Sequence, residues 1–377
     1  MKKYDAVISG YICIDLIPDF KKSESKSNIT DIFKPGRLIE IDGLSFCLGG
    51  VVANTGIAMK KFGNKVFLNG LVGTDFIGKS VLDSLEKYEL SEGIQTTQNA
   101  GTAFSIVVAP PGTDRIFWES PGCSVIFDKS HINFEAISQS RLFHFGYPPL
   151  LKQFYLNNGA LLSSLFSEIQ KMGVVTSLDF SLPDTSSESG KIDWTGMMQR
   201  VLRFTDIFVP SLEEALQIMM PEEYARFQAS SKNADILDLV PVETIRILGK
   251  KIMDCGVKII MIKAGHRGTY LLTDDISELN RVRDLNLSEN KWNHRELWCD
   301  AYQTDPARIK SATGSGDTAI AAFLTAVLGD ETPDQAVKYA SIAGRNNLYI
   351  HDIYEELPGW QEMTIELGTS LSKLIVY

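Results

Sequence analysis

Asn69-Gly70-Leu71-Val72-Gly73-Thr74-Asp75-Phe76-Ile77-Gly78-Lys79-Ser80 is the stretch on which the fold turns, because it supports two readings. From Gly73 to Ser80 it matches G-x-x-x-x-G-K-[ST], the phosphate-cradling P-loop, between an apolar strand and a helical period. The contents of the loop argue against that reading. Asp75 would bring negative charge, and Phe76 and Ile77 bulk, into a loop whose amides must wrap phosphates. Val174–Asp179 can pose as the second, magnesium-holding strand, yet apolar strands ending in Asp are common in any α/β protein. A P-loop NTPase through Gly73–Ser80 therefore ranks third. Taken with its left flank, the same stretch is Gly-x-Val-Gly-x-Asp-x-x-Gly, and its meaning depends on the rest of the chain.

Outward from this point, short β-rich runs alternate with longer helical periods, the mark of α/β. The pattern predicts strands at Asp5–Gly10, Val66–Val72, Phe104–Ala109, Leu142–Gly146, Val174–Asp179, Asp206–Val209, Lys258–Ala264 and Thr269–Thr273. Several are continuous apolar runs, as a sheet covered on both faces requires. Helices are predicted at Val52–Phe62, Lys79–Tyr88, Gly159–Met172, Leu212–Met219, Val242–Cys255, Asp317–Leu328 and Asp334–Asn346. Gly63, Gly173, Gly256 and Gly329 stand at helix ends, which suits left-handed C-caps. The last two helices follow one another without a strand, so the sheet should end before residue 310. Two pairs of extended segments do not fit a wound sheet: Gly10–Ile17 with Arg37–Phe46 around the polar Lys21–Asn28, and Thr102–Ala109 with Arg115–Glu119 around Pro110–Thr113. They predict a small β flap, formed by about 11–48 and 100–120, beside the main sheet of one domain spanning 1–377. Asp275–Ala307 is expected to be loop with some short structure.

Composition limits the function. The 377 residues carry 37 Lys and Arg against 47 Asp and Glu, a formal charge of −10, which argues against an extended nucleic-acid face. No run approaches the roughly 18 apolar residues of a membrane span, and the N-terminus lacks a signal-type apolar stretch, so the expected location is cytoplasmic. The five cysteines and five histidines are scattered, which suggests neither zinc nor a Cys-His nucleophile pair.

The strongest chemical signal is Ala312-Thr313-Gly314-Ser315-Gly316-Asp317, running straight into an Ala-rich helix. Two glycines let backbone amides converge, and the positive end of the helix faces the same point, making a nest for an anion. Asp317 in the first turn is either a capping carboxylate or a general base beside that nest. A second segment, Leu48-Gly49-Gly50-Val51-Val52-Ala53-Asn54, lets a ligand or strand approach the backbone. Asn54 could serve a polyol, or be satisfied within its own helix start. Asp15 is a turn residue or a hydroxyl acceptor.

Three motifs in order, Gly-Gly-x-x-x-Asn at 49–54, Gly-x-Val-Gly-x-Asp-x-x-Gly at 70–78 and Gly-Ser-Gly-Asp at 314–317, resemble ribokinase-like carbohydrate kinases of the phosphofructokinase B type over nearly the whole chain. The resemblance implies a three-layer α/β sandwich, a mostly parallel central sheet flanked by helices, with a β-sheet lid. It implies transfer of the γ-phosphoryl group of Mg·ATP to a sugar, sugar phosphate or nucleoside hydroxyl. By position, Asp317 resembles the family's base, the amides of Gly314, Ser315 and Gly316 its anion hole, and Asp15, Gly49, Gly50 and Asn54 its substrate contacts. Asp206-Ile-Phe-Val-Pro-Ser211-Leu-Glu213-Glu214 resembles Asn-x-x-Glu, with Glu214 near Mg²⁺ through water and Ser211 standing where Asn is usual. Lys263-Ala-Gly265-His-Arg-Gly268 resembles the strand-turn beside ATP, with Lys263 replacing Thr or Ser; Thr313 joins this nucleotide set. Taken alone, Lys263 would equally suit an exposed strand-end charge. Ser311 replaces a family Asp, which implies little K⁺ activation.

No cluster of Lys and Arg marks a second phosphate, so an unphosphorylated sugar is the favoured acceptor. A nucleoside is the alternative, and a non-catalytic sugar- or nucleotide-binding homologue is a further one. Arg115 and Trp118 suit an anionic sugar, a base, lid packing or a dimer contact equally. The open edges of the lid leave a homodimer in view.

Overall fold

Strands that are apolar along their whole length need helices on both sides, and the chain meets that demand. The computed structural model describes residues 2–20, 34–36, 38–108, 116–231, 235–283 and 285–369. Its strands are β1 (Tyr4–Gly10), β2 (Cys13–Phe20), β3 (Ile41–Gly49), β4 (Val66–Gly73), β5 (Ile94–Thr97), β6 (Phe104–Val108), β7 (Ile116–Ser120), β8 (Ser140–Gly146), β9 (Val175–Leu178), β10 (Ile207–Phe208), β11 (Ile259–Lys263), β12 (Thr269–Thr273) and β13 (Glu296–Cys299). Nine of them form one sheet in the order β13-β12-β11-β10-β9-β8-β1-β4-β5. Neighbours from β11 to β5 run parallel, and only β12 and β13 are added antiparallel.

The period-two alternation of the strands sorts their side chains between two cores. Ala6 and Ile8 face one built with the helices Gly50–Lys61, Ser315–Leu328 and Pro333–Asn347, while Val7 faces another built with Lys152–Lys171, Trp194–Leu202 and Val242–Met253. The helix Ser315–Leu328 is buried all round from Asp317 to Leu328. Its run of Ala, Ile, Phe, Leu and Val has no polar face to offer water, so it sits between the sheet and two other helices. The remaining four strands form a separate small sheet, β3-β2-β6-β7, in which β2 pairs antiparallel with β3 and parallel with β6. Among the described residues no helix is long and apolar enough to cross a membrane.

Several expectations need correction. The extended segments read at Gly10–Ile17 and Arg37–Phe46 are strands at Cys13–Phe20 and Ile41–Gly49, displaced because the apolar pattern does not mark their ends. The polar Lys21–Asn28, the Pro110–Thr113 turn, Ala109 and Arg115 lie outside the described residues. The helix expected from Gly159 begins at Lys152 and breaks at Leu156–Gly159, where Asn157, Asn158 and Gly159 all have positive φ. Asn tolerates this region better than other non-glycine residues. Gly329 ends its helix at φ −87, and the left-handed residue is Asp330 instead. The strand Ile94–Thr97 was not anticipated.

Asp275–Ala307 holds short structure, as expected, and adds core contacts and an edge strand to it. It holds the helices Ser277–Arg283 and Glu289–Trp292 and then the edge strand β13. Arg283 places Nε 3.5 Å from the buried Asp206 carboxylate. Trp292 is fully buried, edge-on to Phe323, with its indole N–H donating to the Glu331 carbonyl at 3.0 Å. This insertion is part of the core, and truncating Trp292→Ala should cost about 3–5 kcal/mol. Urea unfolding followed by circular dichroism reads that loss; a change under ~1 kcal/mol would mean the insertion packs independently of the sheet.

Candidate active site

Parallel strands end on a common edge, and there the structure gathers the residues singled out above. Helix Ser315–Leu328 starts at this edge from Gly314, whose φ of +76 turns the chain into the helix without a capping side chain. Asp317 is therefore not a cap. Its carboxylate, 3% exposed, accepts from Asn54 Nδ2 at 2.9 Å, from the Tyr147 hydroxyl at 2.8 Å and from Thr55 Oγ1 at 3.4 Å. Burial raises Asp317 above the usual carboxylate range, while the donors from Asn54 and Tyr147, the charge of Lys263 and the Thr55 hydroxyl pull against it. The result is a carboxylate more basic than a surface aspartate and held in one orientation.

Asn54 and Thr55 reach Asp317 because the helix Gly50–Lys61 begins directly after β3. Gly50 makes that possible: its φ is +82, and a side chain there would meet the Tyr11 carbonyl at 2.5 Å. A methyl group on Gly49 would lie 3.0 Å from Asp15 Oδ2, so Asp15 lies against the glycine pair that leads into the helix carrying Asn54. Asp15 is buried on β2, and burial raises it to about 6, with Glu119 and Asp317 adding to the rise. Glu119 of β7 accepts from the Tyr11 hydroxyl at 2.9 Å, linking the small sheet to the segment after β1.

On the other side of Asp317 stand the residues read as nucleotide and metal contacts. Lys263, at the end of β11, is not the exposed charge that one reading of the sequence allowed. Its side chain is 15% exposed, and Nζ lies 2.9 Å from Asp179 Oδ1. A methyl group built on Gly316 would lie 3.8 Å from that Nζ, so the ammonium borders the glycine turn. Burial works against the charge, but Asp179, then Glu214, outweigh it and keep Lys263 protonated. Ser211 and Glu214 close a capping box: Glu214 Oε2 accepts from the Ser211 amide at 2.7 Å, and Ser211 Oγ accepts from the Glu214 amide at 3.3 Å. Burial raises Glu214, and Lys263 opposes this. Gly265 and Gly268 bracket the turn after β11. Thr313 donates its amide to Ser311 Oγ at 3.1 Å, and its carbonyl accepts from Asn347 at 2.8 Å.

The P-loop reading fails on geometry. Asp75 caps the helix Phe76–Glu86, taking the Gly78 amide at 2.8 Å and the Thr102 amide at 2.7 Å, and the Gly73 amide goes to Thr102 Oγ1 at 2.8 Å. The amides of both loop glycines, Gly73 and Gly78, already hold this hydroxyl and carboxylate. Burial notwithstanding, the donors from Thr102 and Gly78 keep Asp75 below its ordinary range.

Tyr147 is a candidate site residue that sequence reasoning missed, and Asp179 entered it only as the end of a strand posing as part of a P-loop site. Tyr147 follows β8 with φ 62 before a proline pair, and only its place directly after an apolar strand hinted at a site. Burial, then Asp317, pushes its phenol far up, so it remains a donor.

A family model described as pfkB family carbohydrate kinase matches residues 5–347. Probable fructokinase-2 of Arabidopsis thaliana is 21% identical over 84% of this chain and 81% of its own length. Probable fructokinase-5 of the same plant is 28% identical, but over only 38% of this chain and 41% of its own length. The structure of Arabidopsis thaliana ribokinase complexed with ribose and ATP superposes with a TM-score of 0.69 at 15% identity, over 97% of this chain and 99% of that one.

Replacing Tyr147→Phe removes a donor that favours the ionised form of Asp317. The Asp317 carboxyl should then titrate at higher pH than in the wild type, followed by carbon NMR of labelled aspartate; an unchanged or lower titration would show that Tyr147 does not tune it.

Proposed function

Because the chain belongs to the pfkB family of carbohydrate kinases, we propose that it transfers the γ-phosphoryl group of ATP to a hydroxyl of a small, unphosphorylated carbohydrate. The observation that carries the proposal is Asp317: a buried, raised carboxylate in the first turn of a helix, beside the amides of Gly314, Ser315 and Gly316, oriented by donors from two other segments.

In this reading the acceptor lies between the small sheet and the C-terminal edge of the large one. Asp15 and Asn54, with the backbone of Gly49 and Gly50, hold its hydroxyls. Asp317 accepts the proton of one hydroxyl as that oxygen forms its bond to the γ-phosphorus, and the bond to the bridging oxygen breaks with its electron pair leaving on ADP. The amides at Gly314–Gly316 stabilise the charge that spreads over the transferring group. Ser211, Lys263, Gly265, Gly268 and Thr313 border the nucleotide. The small sheet, joined to the site through Glu119 and Tyr11, acts as a lid that keeps water from the phosphoryl group.

Among the described residues no three His, Cys, Asp or Glu side chains converge as a metal cage, which fits an ion held mainly by phosphate oxygens and water, as Mg²⁺ is, with at most one or two carboxylates. Glu214 would hold the ion, through water, and the ion would neutralise phosphate oxygens when bound. A nucleoside acceptor is the second reading, favoured only by the exposed aromatic Trp118 on β7.

Two measurements test the assignment. Asp317→Asn, shown to be folded, should lose at least about a hundredfold in kcat in a coupled ADP-release assay across sugars, sugar phosphates and nucleosides; retention of more than a tenth of wild-type turnover removes Asp317 from the role of base. Asp15 must be ionised to accept sugar hydroxyls and titrates at about 6. The kcat/KM for the acceptor should therefore fall as pH drops through about 6 and level off above it, and a profile flat from pH 5 to 7 would exclude Asp15 as an acceptor of those bonds.

A further inference from the structure

Lys263, largely buried, and Asp179, fully buried, form an ion pair that the base, the amide turn and the metal contact do not explain. Buried pairs of this kind add little stability over apolar residues of equal size, so packing is a poor reason for it. Its surroundings suggest a different one. Lys263 is fixed at both ends: its backbone N–H donates to the Pro210 carbonyl at 3.0 Å, and its ammonium is bound to Asp179 at 2.9 Å. Between those anchors the side chain passes along Gly316, with both Cε and Nζ 3.8 Å from where a methyl group on that residue would be. Gly316 supplies one of the amides read as the anion hole. Asp179, Glu214 and Asp317 all lie close enough to act on Lys263 through charge. Without the lysine, the amide turn would face three carboxylates, a field that repels a phosphoryl group.

We propose that Lys263 is a further catalytic residue, whose ammonium contacts the γ-phosphoryl group during transfer, and that Asp179 is the positioning residue that holds it beside Gly316. The proposal rests on the phosphoryl-transfer reading above and deepens it: Lys263 acts on the transferring group and does more than bind nucleotide. As the acceptor oxygen bonds to phosphorus and ADP leaves, the γ-oxygens come to lie against the Gly316 amide, and the lysine neutralises them there. His144, buried on β8 with Nδ1 2.9 Å from Ser177 Oγ, is kept neutral by burial and by the charge of Lys263, with a pKa lowered to about 3. It therefore does not compete as the cation of the site.

The test compares Lys263→Met, Lys263→Arg, Asp179→Asn and the double variant Lys263→Met/Asp179→Asn, the last of which avoids a buried unpaired carboxylate if Lys263→Met does not fold. Two quantities are read for each folded protein: kcat with KM for ATP, and calorimetric affinity for Mg·ADP with and without aluminium fluoride, a mimic of the phosphoryl group in transit. Lys263→Met or the double variant should lose about a hundredfold in kcat with KM for ATP changed less than about fivefold. It should also lose the tightening that fluoride brings, while affinity for Mg·ADP alone holds. Lys263→Arg should recover part of kcat, and Asp179→Asn should fall between it and the methionine variant. A kcat within threefold of wild type, or a loss confined to KM and to Mg·ADP affinity, would overturn the proposal and leave Lys263 a nucleotide contact. If the wild-type protein turned over no sugar or nucleoside and showed no fluoride-dependent tightening, the kinase reading itself would fall.

Discussion

Everything at the edge of the sheet depends on keeping one carboxylate, Asp317, out of water. A group 3% exposed at the start of an apolar helix must find donors, and none come from its own helix. They come from Asn54 and Thr55 on the helix after β3 and from Tyr147 after β8. That need fixes where three parts of the chain meet. It also gives the small sheet its place, because β3 runs without a linker into the helix that carries Asn54.

The second constraint is the charge balance behind that carboxylate. Asp179, Glu214 and Asp317 share one lysine, and all three carboxyls are raised, with burial the largest cause in each. Such a cluster costs free energy unless its charges are paired, and Lys263 is the cation that offsets it. The capping box of Ser211 and Glu214 shows the same economy, since one carboxylate both ends the exposure of a helix and faces the site.

The central features of this architecture were legible in the sequence because they are periodic. Apolar runs such as Val66–Val72 and the Ala-rich segment after Asp317 announce buried strands and a buried helix from composition alone. Gly314 and Gly50 could be picked out because only a backbone with positive φ needs glycine there. What escaped was set by tertiary contact. Glu296–Cys299 is a strand because β12 offers it an edge, and Trp292 is core because Phe323 is opposite it. For Lys263 the sequence left a nucleotide contact and a surface charge equally open, because its pairing with Asp179, 84 positions earlier, exists only in the fold. The P-loop pattern at Gly73–Ser80 was misleading for a related reason: a match of residue types says nothing about Thr102, whose hydroxyl and amide occupy the loop from outside the motif.

The bond from Asn54 to Asp317 joins positions 263 apart in the chain. Contacts of such sequence separation form late, after the loop-closure entropy between them has been overcome. During synthesis the sheet strands, Asn54, Thr55 and Tyr147 are therefore made well before the helix that carries Asp317. In that interval the growing chain is partly folded, and its buried faces, above all the one that awaits Ser315–Leu328, are open to other chains. For this fold, the helix Ser315–Leu328 is made well after the strands it covers, and the exposure of that face ends when it docks.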